Sequence, residues 1–297
     1  MAHVAVLGIL VFSFLPALHA VRVPVDRRVS RDDPLPPDRK VEQQRQGIDY
    51  PSPWDWSQFF ARTNGNFQYD DSKKMGDQWW VEMDQPLYVT PGTLEHTVFF
   101  QSQAMFQKGK TTFNNGLSYR YLFERDRYIL GINGFYDYRY QQQLQRWSIG
   151  GDFHTQWLLL WGNYYGGISS TATTWEKVLS GGDAYVSLLF PYLPWLRLQA
   201  GFYIWNYLEG SPSAKGYNIS LKANIWKPVY IEGGRTSDRY VQNNYVLVSV
   251  SLGFPNYIEF TMFNDTISKT IIPARTLKRF ILDLINRNNA MRTQLTT

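Results

Sequence analysis

The 297 residues point to an all-β fold: a transmembrane antiparallel β-barrel of about 12 strands, followed by a C-terminal linker containing a short helix. Three observations predict it. Aromatic residues make up 16% of the chain, with 11 Trp, 20 Tyr and 18 Phe, while the mean hydropathy is mildly polar at -0.35. A barrel wall needs apolar residues only at alternate positions and gathers Tyr and Trp at the two membrane interfaces, which gives that pairing. The middle of the chain then breaks into polarity-alternating segments of about ten residues bounded by Gly, Pro, Asn or charged turns. Finally, beyond the first twenty residues no run approaches the ~18 to 20 apolar residues that a membrane-spanning helix requires.

The N-terminal flank reads as an export and lead region. Val4 to Ala20 is apolar apart from Ser13 and His19 and ends on a small residue, so residues 1–20 are expected to be a signal peptide, with an N-terminal anchor as the alternative. Residues 21–53 hold Pro24, Pro34, Pro36, Pro37, Pro51 and Pro53 among many charges, a composition expected to stay a flexible periplasmic segment.

The barrel is assigned to residues 54–254. Expected strands are 54–67, 77–90, 97–108, 111–123, 127–140, 144–155, 157–168, 181–191, 196–207, 216–227, 229–236 and 243–254, an even number as such barrels prefer. The clearest alternation sets Leu196, Leu198, Ala200, Phe202 and Ile204 against Arg197, Gln199, Gly201, Tyr203 and Trp205. One face suits lipid and the other a wet lumen. The next segment repeats it, with Tyr217, Ile219, Leu221 and Ala223 against Asn218, Ser220, Lys222 and Asn224. Tyr128 to Tyr140 sets Leu130, Ile132 and Tyr136 against Asn133, Asp137 and Arg139. Two segments are noisier: Trp157 to Trp161 is apolar on both faces, and Trp79 to Val89 places Glu82 and Asp84 beside Trp80. A soluble β-sandwich also alternates, but it leaves the apolar leader, the aromatic load and the number of hairpins unexplained.

The C-terminal 255–297 follow as a linker. Leu277, Phe280, Ile281, Leu284 and Ile285 fall at i, i+3, i+4, i+7 and i+8, one stripe of a short amphipathic helix, with Lys278, Arg279, Asp283 and Arg287 on the other faces and Pro273 ahead of it. Such a helix inside a polar lumen is a plug whose charges pair with lumen residues such as Glu232 or Asp137. The same stripe also supports an interfacial helix lying on the membrane surface. The last strand, from Tyr245 to Leu252, Gly253 and Phe254, alternates and closes on an aromatic, as expected of the signal read by the barrel assembly machinery.

Several stretches carry a resemblance. ILGINGFYDYRY (Ile129 to Tyr140), RWSIGGDFHTQWLLLWGNYYGGIS (Arg146 to Ser169), GGDAYVSLLFPYLPWLRLQAGFYIWNY (Gly181 to Tyr207) and RFILDLINRNNAMRTQL (Arg279 to Leu295) resemble, in order, the translocator barrel and linker of the intimin and invasin family of inverse autotransporters. The Arg287-Asn288-Asn289 run is similar to the family's linker. The resemblance implies a twelve-stranded barrel, a periplasmic N-terminus, and a linker threading the lumen to carry an adhesive C-terminal passenger outside. Two departures follow: residues 21–53 are too short for the family's periplasmic peptidoglycan-binding module, and the passenger is expected to be absent or minimal.

Chemistry is not expected. Cysteine is absent, and no HExxH, phosphate-binding glycine loop or metal-ligand spacing occurs, so no cofactor and no metal is implied. His96 and His154 remain after the leader, and His154 near Asp152 and Ser148 is the one imaginable base. A membrane phospholipase is the enzyme class compatible with a barrel, and would need a serine, a histidine and a polar partner on the outer wall. The net charge of +5 is concentrated in the flanks, at Arg22, Arg27, Arg28, Arg31, Arg39, Lys40 and Arg45 and again at Lys269, Arg275, Lys278, Arg279, Arg287 and Arg292, so nucleic acid is not an expected partner. Expected partners are outer-membrane lipid, the barrel assembly machinery, and a host or neighbouring-cell surface met through outer loops such as Ser170 to Leu179 and Leu208 to Ala214. A porin-like channel without a secretion role is the alternative function.

Overall fold

Alternating residues cannot bury one face of a strand without a partner surface, and an exposed edge must be closed or covered. Here closure does it. The computed structural model describes residues 62–70, 77–91, 93–168, 176–206, 213–226, 229–239, 242–251, 277 and 281–295. Twelve strands form the wall: β1 (Thr63–Asp70), β2 (Gln78–Val89), β3 (His96–Gln107), β4 (Lys110–Phe123), β5 (Tyr128–Arg139), β6 (Leu144–His154), β7 (Leu158–Ile168), β9 (Ser180–Phe190), β10 (Leu193–Asn206), β11 (Ala214–Trp226), β12 (Val229–Asp238) and β13 (Gln242–Ser251). Two short strands, β8 (Glu176–Val178) and β14 (Thr293–Leu295), pair with each other outside the wall.

Each wall strand pairs antiparallel with its neighbours in chain order, β9 following β7, and the ring closes where β1 runs against β13 from Asn64 opposite Ser251 to Asp70 opposite Tyr245. Every one of the twelve expected segments carries a strand, and all but the first begin and end within three residues of expectation. Residues 54–61 and 252–254 lie outside the described residues. β10 begins early because Leu193 pairs with Phe190 across a register shift before Arg197.

The faces fall as alternation requires. Leu130, Ile132 and Tyr136 of β5 point outward and are exposed, Ile132 by 62%, whereas Asn133, Asp137 and Arg139 are buried inside. β11 repeats the pattern, with Tyr217, Ile219 and Leu221 outward and Asn218 and Ser220 inward. The noisy β2 segment resolves too: Trp80, Glu82 and Asp84 all face inward. The outer apolar face is flanked by aromatic clusters at both ends. At one end His96, Tyr121, Phe123, Tyr128 and Phe153 stack successively across β3 to β6. At the other, Trp79 stacks on Phe106 and Trp147 leans on Tyr164. These are the interfacial belts of a transmembrane barrel.

The two ends differ in their connections. The end holding the start of β1 and the end of β13 is joined by the short stretches 90–95, 124–127, 155–157, 191–192 and 227–228. The opposite end carries the longer stretches 71–77, 169–179 and 207–213, together with tight turns such as Lys108-Gly109. In that turn φ is 49° and 72°, the double left-handed geometry that joins two twisted strands in register. These are called the turn end and the loop end below.

Candidate functional site

The lumen is occupied by the C-terminal segment, and its contacts follow the barrel axis. At the turn end, the Leu277 amide donates to Asp126 O at 3.1 Å, and Leu277 and Ile281 pack on Leu94, Leu122 and Ile129. Next, Arg120 Nη1 of β4 donates to Ile281 O at 3.1 Å and Asp283 O at 2.6 Å. Midway, the Ile285 amide donates to Gln101 Oε1 at 2.8 Å while its side chain packs on Phe99 and Phe135, and Asn163 Nδ2 donates to Asn286 O at 3.1 Å. Further on, Arg146 of β6 donates to the carbonyls of Asn288, Asn289 and Ala290, and the Asn288 amide donates to the Tyr165 hydroxyl at 2.7 Å. Near the loop end, Arg139 Nη2 donates to Met291 O at 2.8 Å. The segment then leaves as β14, with Thr293 opposite Val178 and Leu295 opposite Glu176.

This path corrects the expected helix. Among the described residues, Leu277 has 3₁₀ geometry, 281–282 form a turn, and 283–289 have no helical structure. An α-helix satisfies its backbone internally at about 1.5 Å per residue. An extended chain advances roughly 3.3 Å per residue and leaves its amides and carbonyls open. The wall supplies partners for many of those groups, the amides of Ile285 and Asn288 and the carbonyls of Ile281, Asp283, Asn286 and 288–291 among them, which offsets the backbone cost of leaving the helix. Leu277, Ile281 and Ile285 are all buried: the first two share the cluster of Leu94, Leu122 and Ile129, and Ile285 packs further along the wall on Phe99 and Phe135. Leu284 is half-buried beside the remaining cavity. Asn288 and Asn289 take part through their main chain. Lys278, Arg279, Phe280, Leu252, Gly253 and Phe254 lie outside the described residues. Tyr245 turns into the lumen, where its hydroxyl donates to Glu232 Oε1 at 2.8 Å.

Three clusters of charges inside the barrel are paired. Asp137 sits between two guanidinium groups: Arg146 Nε lies 2.7 Å from its Oδ2, and Arg287 of the segment reaches its two oxygens at 2.8 and 2.6 Å. All three side chains are fully buried. Of the two carboxylates expected to meet the segment, Asp137 does so and Glu232 takes Tyr245 instead. Toward the loop end, Arg292 Nη1 lies 3.0 Å from Asp238 Oδ2, which also accepts from the Tyr203 hydroxyl at 2.7 Å. Toward the turn end, Arg120 Nε bonds Asp152 at 3.1 Å, and His154 Nε2 lies 2.6 Å from the same oxygen. Removing a charge from water costs several kcal/mol per ion, which is offset only by close, hydrogen-bonded partners. These groups have them.

Most of the segment's hydrogen bonds go to β3 to β7, while Ala290 packs with Trp80, Tyr245 and Leu247 and Arg292 reaches Asp238. A cavity of about 820 Å³ remains beside it, bordered by wall residues such as Glu82, Arg197, Lys222 and Glu232 and by Leu282 to Ala290. The imagined base, His154, faces this lumen and shares its strand with Ser148, six residues away, so the two do not meet. His96 is on the outer wall and its Nδ1 lies 2.7 Å from the Tyr119 hydroxyl. Among the described residues no group of His, Asp or Glu side chains is arranged to hold a metal ion.

Sequence reasoning missed Arg120 and Arg146 as ligands of the segment, and missed β8 altogether. The two arginines were findable, since each occupies an inward position of a strongly alternating strand. β8 was not, because three residues carry no period, and it converts part of the expected free loop Ser170 to Leu179 into a strand committed to β14.

A closed twelve-strand wall, aromatic belts, an apolar exterior and a charged interior define an outer-membrane β-barrel. Comparison with known proteins carries this one step further. The inverse autotransporter β-domain family matches residues 52–247, and the chain belongs to that family. Among solved structures, a chain from work on in-meso crystallization of membrane proteins is 15% identical with a TM-score of 0.62, covering 78% of this chain and 99% of that one. A KdgM porin is 12% identical with a TM-score of 0.46, covering 64% of this chain and 98% of that chain. The outer membrane phospholipase A from Escherichia coli is 8% identical with a TM-score of 0.42, covering 65% of this chain and 90% of that chain. No curated protein sequence matches the chain significantly.

Proposed function

We propose that this barrel is a translocator of the intimin and invasin type, which threads residues 255–297 through its own lumen and presents a C-terminal passenger outside the cell. One observation carries the reading: the contacts of the segment progress from Leu277 at the turn end to Leu295 at the loop end. Outer-membrane barrels keep short turns in the periplasm and longer loops outside. That rule puts the start of β1 in the periplasm, as a chain exported by the leader 1–20 and a flexible lead 21–53 requires, and it puts the exit of the segment on the cell surface. Insertion is assigned to the barrel assembly machinery reading the last strand from Tyr245 to Phe254, and the fitted segment acts as a plug. No catalytic role is assigned.

The porin-like alternative draws on the 820 Å³ cavity beside the segment, and a third reading gives the outer loops a surface partner. An epitope tag appended after Thr297 separates these. Labelling of intact Gram-negative cells, with loss of the tag to external protease, supports the translocator. A tag reached only after the outer membrane is permeabilised, beside a folded heat-modifiable barrel, sinks it and leaves the channel.

A further inference from the structure

The wall treats the main chain and the charged side chains of the segment differently. Arg120, Arg139, Arg146 and Asn163 bond carbonyl oxygens, and Gln101 and Tyr165 bond amides. Amides and carbonyls recur at every residue whatever the sequence, so this ladder by itself admits an extended chain in several registers. The apolar anchors do not remove the ambiguity. Leu277, Ile281 and Ile285 are spaced by four, so sliding the segment by four residues sets one anchor where the next had been.

Two side chains break this degeneracy. Arg287 makes a two-pronged bond to Asp137 with its guanidinium 4.3 Å from the centre of the Phe135 ring and 5.6 Å from that of Tyr165. Arg292 pairs with Asp238 while lying 4.7 Å from the Tyr203 ring centre and 5.6 Å from that of Trp205. Each pocket is a carboxylate beside aromatic faces. That chemistry suits a flat, forked guanidinium and suits a compact, strongly hydrated ammonium poorly. The pockets are five residues apart along the segment, a spacing that no slide by four satisfies.

We propose that these two guanidinium pockets are a register-setting site, selective for an extended polypeptide with two arginines five residues apart, and that they halt the segment at one position along the main-chain ladder. The proposal rests on the threaded-segment reading and adds to it what fixes the stopping point.

The chain has no cysteine, so paired cysteines report register cleanly. Val178 lies opposite Thr293, and a slide of four residues toward the loop end, which the anchors allow, sets Asn289 there instead. Full-length chains carrying Val178→Cys with either Thr293→Cys or Asn289→Cys are oxidised in outer membranes. With the native arginines the cross-link forms at 293. Moving both arginines four residues back, by Asp283→Arg, Arg287→Asn, Asn288→Arg and Arg292→Gln, transfers it to 289. Arg287→Gln with Arg292→Gln lowers the 293 cross-link by about tenfold or more, since two buried carboxylates each lose the cation that the segment brings them. Arg287→Lys with Arg292→Lys, which keeps the charge, spreads cross-linking over both positions. A 293 cross-link undiminished in the moved-arginine chain, or in the lysine chain if the former fails to fold as a heat-modifiable barrel, overturns the proposal. The surface tag is read on the same cells. A tag confined to the periplasm together with a 293-to-289 transfer rejects secretion and leaves the register site standing.

Discussion

Asp137→Asn is the sharpest perturbation of the lumen. The carboxylate holds Arg146 at 2.7 Å and Arg287 at 2.8 and 2.6 Å, and nothing in that trio is exposed. Leaving a buried charge without its partner costs roughly 3–5 kcal/mol. Arg146 keeps its bonds to the carbonyls of Asn288, Asn289 and Ala290, and Arg287 keeps its place over Phe135, so the lower part of the range, about 3 kcal/mol, is expected. That corresponds to about a 150-fold shift in the docking equilibrium of the segment. The loss falls on the segment and not on the wall, because the β5 backbone ladder on both sides is untouched by an Asp to Asn change. Hydrogen exchange of the full-length protein in lipid vesicles separates the two. Amides at 285–291 should exchange faster by about that factor, while those of β5 hold. Adding Arg287→Gln removes the stranded cation and should recover on the order of 1 kcal/mol or more, a coupling expected only of groups in direct contact. Unchanged exchange at 285–291, or a double variant that is simply the sum of the singles, refutes the reasoning.

Three further outcomes are expected. Deleting residues 277–297 should raise single-channel conductance of the reconstituted barrel above a nonzero full-length level, since the segment occupies part of the lumen and a cavity remains beside it; equal conductances rule out a segment that obstructs the pore. Ile132→Arg, on the outward face of β5, should cost about 2–4 kcal/mol of barrel stability in bilayers if it sits near the midplane, while Gln199→Lys beside the cavity stays near neutral; urea unfolding in vesicles compares them, and equal costs contradict the face assignment. Gly116→Ala should destabilise by about 1–3 kcal/mol, because a Cβ there strikes the Phe135 ring that backs Arg287; combined with Phe135→Leu, which clears that space, the penalty of the alanine should largely vanish.

The wall was legible because strand parity is a local property. Asn133, Asp137 and Arg139 are separated from Leu130, Ile132 and Tyr136 by nothing more than odd and even position, and one wet and one greasy surface force that split. Even Trp80, Glu82 and Asp84, which read as noise, obeyed it: a lumen accepts a Trp among acids provided the outward positions stay apolar. The C-terminal segment was illegible for the converse reason. Its conformation is imposed by partners such as Gln101, Arg120 and Arg146, well over a hundred residues away in sequence. A spacing of four between Leu277, Ile281 and Ile285 fits both a helix and a docked extended chain, and periodicity alone cannot separate them. Asp137 was a legible partner for a linker cation, since it faces inward on a clear strand, but whether Lys278, Arg279 or Arg287 would reach it depended on a register that the sequence does not encode locally.

The extended form also explains why arginine dominates the inner wall near the segment. Every residue of an extended chain in the lumen brings one amide and one carbonyl that must find partners. The wall cannot offer a strand edge, because its own backbone groups are consumed in closing the ring. Side chains must therefore reach inward, and donors are in greater demand than acceptors, as each carbonyl oxygen takes up to two bonds. Arginine combines reach with five donors, so that Arg146 spans three successive carbonyls while its Nε still holds Asp137. Arg120 likewise bonds two carbonyls while its Nε holds Asp152. In each case one edge of the guanidinium balances charge within the wall and the other grips a main chain. A lysine offers a single point of contact and would force a choice between the two tasks. Replacing either wall arginine by lysine should thus loosen the segment while the wall stays closed, even though the net charge of the lumen does not change.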